Sequence, residues 1–215
     1  MQDNITRQMP KRTIAFRFQK FYFDLSYKFG FAEWDVKNAQ PDLINLVKQG
    51  KINGQKILDI GCGSGDNAIY LAKQGFEVTG IDYAKKGIQL AKSRAEKSHT
   101  SVDFLVGDAF NLSRLNYQFD TVIDYGLYHN IPLEKLDRYL SSVEQVIKPN
   151  GLFIIQSFGE NAPKSNFGPR QVTENELKNV FKDRWQIQEI LPAIFHNTAS
   201  TKIPAILAII KLNNK

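Results

Sequence analysis

Three aspartates, Asp59, Asp82 and Asp108, each stand at or beside the end of an apolar run, and glycines follow the first of them at Gly61, Gly63 and Gly65. The stretch Ile57-Leu58-Asp59-Ile60-Gly61-Cys62-Gly63-Ser64-Gly65-Asp66-Asn67 reads as a buried strand, a glycine turn and the start of a helix. Such glycines let the backbone pass close to a ligand where a Cβ would collide. The helix start offers unpaired N–H groups and a positive dipole end. Further on, Glu77-Val78-Thr79-Gly80-Ile81 reads as a second strand ending in Asp82, placed to accept hydrogen bonds from a ribose diol. Together these residues describe a cofactor that carries adenosine, laid across the carboxyl edge of a parallel sheet.

The spacing narrows the choice of cofactor. A dinucleotide turn reads G-x-G-x-x-G, its third glycine allowing the helix to pack tightly above a pyrophosphate. Here Asp66 occupies the place of that third glycine. A carboxylate beside a pyrophosphate is repulsive, so a nicotinamide dinucleotide is disfavoured.

The elements that must position these residues alternate from Lys56 onward, which predicts a parallel sheet with helices on both faces. Strands are expected at 56–60, 77–81, 102–106, 119–124 and 151–157, with helices over 65–74, 84–97 and 132–147. Pro149-Asn150-Gly151 reads as a turn before the fifth strand. Thr173-Glu174-Asn175-Glu176 is a capping box that opens a short helix. Two final strands, about 185–191 and 204–211, have no helix between them and are expected to pair antiparallel.

Residues 1–50 stand apart as an expected helical lid, before a catalytic domain over 51–215. Ile14, Phe18, Phe21, Leu25 and Phe29 recur at helical spacing, widened by Phe16, Tyr22 and Phe23. Pro41 suits the first position of another short helix. The aromatic segment either covers the crevice that such a sheet leaves open or rests on a membrane surface.

Composition bounds the rest. At 215 residues the chain suits one domain that buries about 70% of its unfolded surface. Its 42% hydrophobic and 23% charged content is that of a soluble globular protein. The net charge of +6 suits an anionic partner or simply a basic surface. A single cysteine, Cys62, excludes an internal disulfide and fits a reducing cytoplasm. No window approaches the ~20 apolar residues of a membrane span. Arg7, Lys11, Arg12, Arg17 and Lys20 interrupt any signal-peptide core. The histidines (His99, His129, His196) are scattered without ligand spacing, so no metal site is expected.

The glycine turn with Asp59, Asp82 and Phe104-Leu105-Val106-Gly107-Asp108-Ala109 resembles the class I S-adenosylmethionine methyltransferases. The resemblance implies a Rossmann-like seven-stranded sheet, mostly parallel with an antiparallel last strand. It also implies that Asp59, Gly61, Cys62, Gly63, Gly65, Asp66 and Asn67 cradle the methionine part of S-adenosylmethionine, and that Asp82 and Tyr83 hold the ribose side. Asp108, Ala109 and Phe110 then flank the adenine, and Trp34 and Asp124 complete the cofactor site. Phe31-Ala32-Glu33-Trp34-Asp35, Gln40-Pro41 and Phe119-Asp120-Thr121-Val122-Ile123-Asp124-Tyr125-Gly126-Leu127-Tyr128-His129 resemble a narrower group. These are small bacterial methyltransferases of heterocyclic hydroxyl compounds, the mycobacterial hydroxyquinolone O-methyltransferases among them. Thiopurine and halide/thiol methyltransferases are more distant kin. Glu33 replaces the proline usual before Trp-Asp in that group.

The implied reaction is methyl transfer to O or S of a small aromatic or heterocyclic acceptor. The loop after the fourth strand lacks the Asn/Asp-Pro-Pro-aromatic box of nitrogen methylation and the Pro-Cys nucleophile of RNA cytosine methylation, so no nucleic acid partner is expected. A base is required only if the acceptor arrives protonated. His129, with an ordinary pKa near 6.5, is the candidate; alternatively it hydrogen-bonds where the next helix begins, before Pro132. Tyr125 and Tyr128 are placed to orient a hydroxyl or form an aromatic wall, and Arg170 to attract an anionic acceptor or to face solvent. RNA or protein methylation, or cofactor binding without catalysis, are the alternatives.

Overall fold

The computed structural model describes residues 21–164, 168–199 and 201–213. Its centre is a sheet of seven strands: β1 (Lys56–Ile60), β2 (Glu77–Asp82), β3 (Asp103–Val106), β4 (Phe119–Tyr125), β5 (Ile147–Phe158), β6 (Trp185–His196) and β7 (Lys202–Leu212). The strands lie in the order β3-β2-β1-β4-β5-β7-β6. β1 to β5 pair parallel, and β7 runs antiparallel between β5 and β6. Strand order reverses between β1 and β4, so a ligand crevice opens at their carboxyl ends.

Among the described residues, six α-helices cover the sheet: α1 (21–29), α2 (Pro41–Lys48), α3 (Asp66–Lys73), α4 (Lys85–Lys97), α5 (Leu136–Glu144) and α6 (Glu174–Val180). Successive strand residues point to opposite faces, and the burial follows. Leu58, Val122 and Phe153 pack with α5 and α6, whereas Ile57, Ile123 and Ile154 pack with α2, α3 and α4. Continuous apolar runs in β1, β4 and β5 are therefore what a sheet buried on both faces demands.

The helix ends follow local chemistry. Pro41 begins α2 after Gln40, and the Thr173 hydroxyl accepts the Glu176 N–H at 3.1 Å to cap α6. α1 stops at Gly30, whose φ of 75° lets Phe31 N–H reach Ser26 O at 2.9 Å, a Schellman closure.

Three expectations need correction. The helix expected over 132–147 begins with a tight turn at Leu133–Lys135 and ends at Glu144. Pro149-Asn150-Gly151 lies inside β5 rather than before it: pairing jumps from Phe119–Ile147 to Thr121–Leu152, and Asn150 takes a φ of 62°. In α1, the stripe Phe21, Leu25, Phe29 is not the buried one. Phe21 and Phe29 are 68% and 58% exposed, while Tyr27 is buried because it fills space left by Gly63 and Gly87. Ile14, Phe16 and Phe18 lie outside the described residues.

Candidate active site

The glycine turn leaves β1 and passes under β2. Gly61 N–H and Cys62 N–H both donate to Ile81 O (2.8 and 3.1 Å), and Gly63 N–H donates to Asp82 Oδ2 at 2.9 Å. Gly61, Gly63 and Gly65 all have positive φ, the last as the cap of α3. They serve different ends. A Cβ on Gly63 would run into the Tyr27 hydroxyl, while one on Gly65 would stand 2.6 Å from Phe104 Cζ and 2.9 Å from Ala91 Cβ. Gly65 thus lets α3 settle on the core and does not line the crevice. The Cys62 thiol is buried, and burial pushes its pKa up, away from nucleophile chemistry.

A cavity of about 770 Å³ opens over this turn, within the usual size of small-molecule sites. Gly61, Cys62, Gly63, Asp66, Asn67, Asp82, Tyr83, Ala109, Tyr125, His129 and Trp34 share its wall, so most of the expected site residues converge. Asp59 Oδ2 is buried at this wall with no hydrogen-bond partner, and the Tyr125 hydroxyl likewise. Desolvation, then the charges of Asp124 and Asp82, push the Asp59 carboxyl up to about 8. An orphaned carboxyl oxygen beside a glycine cradle fits a cationic ligand such as the ammonium and sulfonium of S-adenosylmethionine. Asp82 accepts backbone N–H bonds on both oxygens, from Gly63 and from Ala84 (2.7 Å). Its remaining lone pairs can still accept a diol. Desolvation raises its pKa to about 6.

Some expected residues support the cavity without lining it. Asp124 is buried; its Oδ1 accepts Leu127 N–H (2.7 Å) and Tyr128 N–H (3.1 Å), and its Oδ2 accepts the Tyr139 hydroxyl at 2.6 Å. It shapes the loop after β4. Asp108 is exposed and accepts Phe110 N–H at 2.9 Å, while its neighbours Gly107 and Ala109 face the cavity. Phe110 packs on Tyr139.

Tyr128 and Arg170 are not acceptor-facing as expected. Both Glu176 oxygens take Arg170 Nη1 at 2.6 Å, Arg170 Nε donates to Ile131 O, and the guanidinium lies 4.9 Å over the Tyr128 ring. The Tyr128 hydroxyl also donates to Glu176. A buried guanidinium needs a paired carboxylate, and this one has it. Phe167, just before, lies outside the described residues.

His129 is buried at the cavity wall, its ring against Phe158 and Phe195. Phe158 N–H donates to its Nδ1 at 3.0 Å. Burial, then the Arg170 charge, lower its pKa to about 3. A histidine in that state is a weak base, so the expected proton abstraction is not what this geometry favours.

Sequence reasoning missed the ties that hold Trp34 and Asp35 at the cavity wall. The Trp34 indole donates to the Tyr27 hydroxyl at 2.8 Å, and its ring meets Phe23 at 4.8 Å. The next residue, Asp35, takes both nitrogens of Arg94, and Arg94 also reaches Ser64 and Asp66. Burial raises the Asp35 pKa, yet bonds from Arg94 and Ser64 hold it below the usual carboxylate range. Nothing in the sequence marks Arg94 among the charges of α4. Phe158 was within reach, since it ends a strand beside the switch point; Phe195 depends on the length of the β6–β7 hairpin.

Glycine cradle, strand-end carboxylates and this strand order define an S-adenosylmethionine-dependent methyltransferase. Residues 51–205 match the family described as "Methyltransferase domain", and the chain belongs to that family. It is similar to the 2-heptyl-1-hydroxyquinolin-4(1H)-one methyltransferase of Mycobacteroides abscessus, 36% identical over 162 residues, 74% of this chain and 71% of that one. Human EEF1A lysine methyltransferase 2 is 34% identical over 168 residues, 74% of this chain and 66% of that one. Among solved structures, one from work on the conversion of a disulfide bond into a thioacetal group during echinomycin biosynthesis has a TM-score of 0.82 at 26% identity, covering 91% of this chain and 93% of that one. The fold is also shared with the Burkholderia thailandensis 1,6-didemethyltoxoflavin-N1-methyltransferase (TM-score 0.75, 19% identity, covering 96% of this chain and 91% of that one).

Proposed function

We propose that this protein transfers the methyl of S-adenosylmethionine to O or S of a small aromatic or heterocyclic molecule by in-line displacement. One observation carries the reading: a single cavity joins the glycine turn to an aromatic compartment of His129, Phe158 and Phe195, with Trp34 and Phe23 on another part of its lining. The cofactor supplies a methyl on a sulfonium, already a good leaving group. The protein's share is orientation, which is worth about 7–11 kcal/mol when the reacting atoms are aligned.

In this reading the free Asp59 oxygen faces the cofactor's positive groups, and the Gly61–Gly63 backbone cradles its methionine end. Asp82 holds the ribose, Tyr83 lies beside it, and Ala109 with Asp108 receives the adenine. Trp34 and Tyr27 exclude water from above. The relative from Mycobacteroides abscessus, named for a small hydroxyquinolone, supports a flat heterocyclic acceptor. The relative named for a protein lysine favours a peptide acceptor instead, a reading that the aromatic compartment does not suit.

Calorimetry tests the cofactor assignment. S-adenosylmethionine and S-adenosylhomocysteine should bind while NAD and NADP do not, and Asp82→Ala should weaken binding by about 1.5–3 kcal/mol. Tight nicotinamide binding without S-adenosylmethionine binding contradicts it.

A further inference from the structure

His129 meets the cavity with one nitrogen already engaged. A backbone N–H only donates, so the 3.0 Å bond from Phe158 makes Nδ1 the acceptor and leaves the ring proton on Nε2. The aromatic surroundings keep the ring neutral. Such an imidazole offers one donor and no spare lone pair. Tyr125 lines the same cavity, but its hydroxyl is buried without a partner and burial raises its pKa, so it stays protonated and offers no base.

The carboxylates around the cavity are poorly placed to substitute as bases. Asp82 is engaged by two amides and Asp66 by Arg94. Glu33 is exposed. Asp59 keeps a free oxygen, which the proposed function assigns to the cofactor.

Resting on that function, we propose that the enzyme takes its acceptor already ionised, as an oxyanion or thiolate held by His129 Nε2–H, and that no side chain removes the acceptor's proton. The substrate class is then acidic: phenol-like or heterocyclic hydroxyls and thiols with pKa values near or below working pH. The proton leaves to solvent before binding. The new O–C or S–C bond forms as the sulfonium S–CH3 bond breaks with its electron pair on sulfur, so an anion and a cation become two neutral products.

The test uses the full-length protein, S-adenosylmethionine and a panel of phenols and thiols of graded acidity. The acid limb of kcat/KM should move with each acceptor's own pKa. His129→Gln keeps a carbonyl for Phe158 N–H and an amide donor for the acceptor but cannot serve as a base; it should lose no more than about tenfold, on the scale of one hydrogen bond. His129→Phe should lose about 10²-fold or more. With S-adenosylhomocysteine present, bound 4-nitrophenol should show phenolate absorption below its solution pKa, and His129→Phe should move that apparent pKa back toward the solution value. Melting curves establish that both variants fold. An acid limb at one pH for every acceptor, with His129→Gln as slow as a base deletion (10²–10⁴-fold), overturns the proposal while leaving methyl transfer intact. A protein that binds S-adenosylmethionine but methylates nothing in the panel overturns the proposed function and this inference with it.

Discussion

Arg94 of α4 grips Asp35 with both ends of its guanidinium, at 2.6 and 2.7 Å, and with the same Nη1 reaches Asp66 at 2.9 Å. The segment carrying Trp34 and Asp35 and the first turn of α3 are thereby tied to one cation. The pair is partly buried (side chains 23% and 15% exposed), and its fork geometry is not reproduced by lysine. Arg94→Lys should therefore loosen Trp34 above the cavity. Calorimetry should show S-adenosylmethionine binding weakened about tenfold, ~1.4 kcal/mol, with little change in the melting temperature.

Asp124 acts on the acceptor side. Its carboxylate accepts three hydrogen bonds that fold the loop between Tyr125, at the end of β4, and His129. Asp124→Asn keeps the volume but replaces one acceptor oxygen by a donor that faces N–H or O–H groups. Chemical denaturation should show a loss of about 1–3 kcal/mol, and turnover should fall more than cofactor affinity.

Stability should depend on pH through the buried acids. The folded pKa values of Asp59, Asp82, Asp66 and Asp124 are raised, to about 8 for the first and about 6 for the others, against ~3.9 unfolded. A raised acid binds more protons when folded, so it favours the fold below the unfolded pKa and loses that contribution as pH climbs through the folded value. His129, lowered to about 3, acts in the opposite sense, with stability lost as pH falls from about 6.5 toward 3. Between about pH 6.5 and 8 Asp59 is the group among these still titrating. Cofactor-free protein should lose up to ~1.4 kcal/mol per pH unit there, and Asp59→Asn should flatten the slope.

Much of this site was legible because parallel sheets concentrate ligand chemistry at strand ends. Asp59, Gly61, Gly63 and Asp82 each follow or end a strand whose apolar run is unmistakable, so their convergence followed from topology alone. What local pattern hides is partnership across the fold. The Tyr128, Arg170 and Glu176 cluster joins residues far apart in the chain, and the position of an arginine on a Gly/Pro loop says nothing of a carboxylate on the following helix. The Thr173 cap was readable, but Glu176 turns its carboxylate to Arg170 instead of back to the helix start. Similarly, spacing in α1 predicted a stripe, whereas burial followed the two glycines that leave room for Tyr27.

The most direct test of the central claim is methyl transfer itself. The protein is incubated with S-adenosylmethionine labelled with deuterium in its methyl and with a panel of hydroxyl and thiol heterocycles, and the products are resolved by mass spectrometry. The account predicts one labelled methyl on O or S of an acidic aromatic acceptor, with S-adenosylhomocysteine formed in equal amount. Label found only on peptide lysine or on RNA, or bound cofactor that is never consumed, would contradict it.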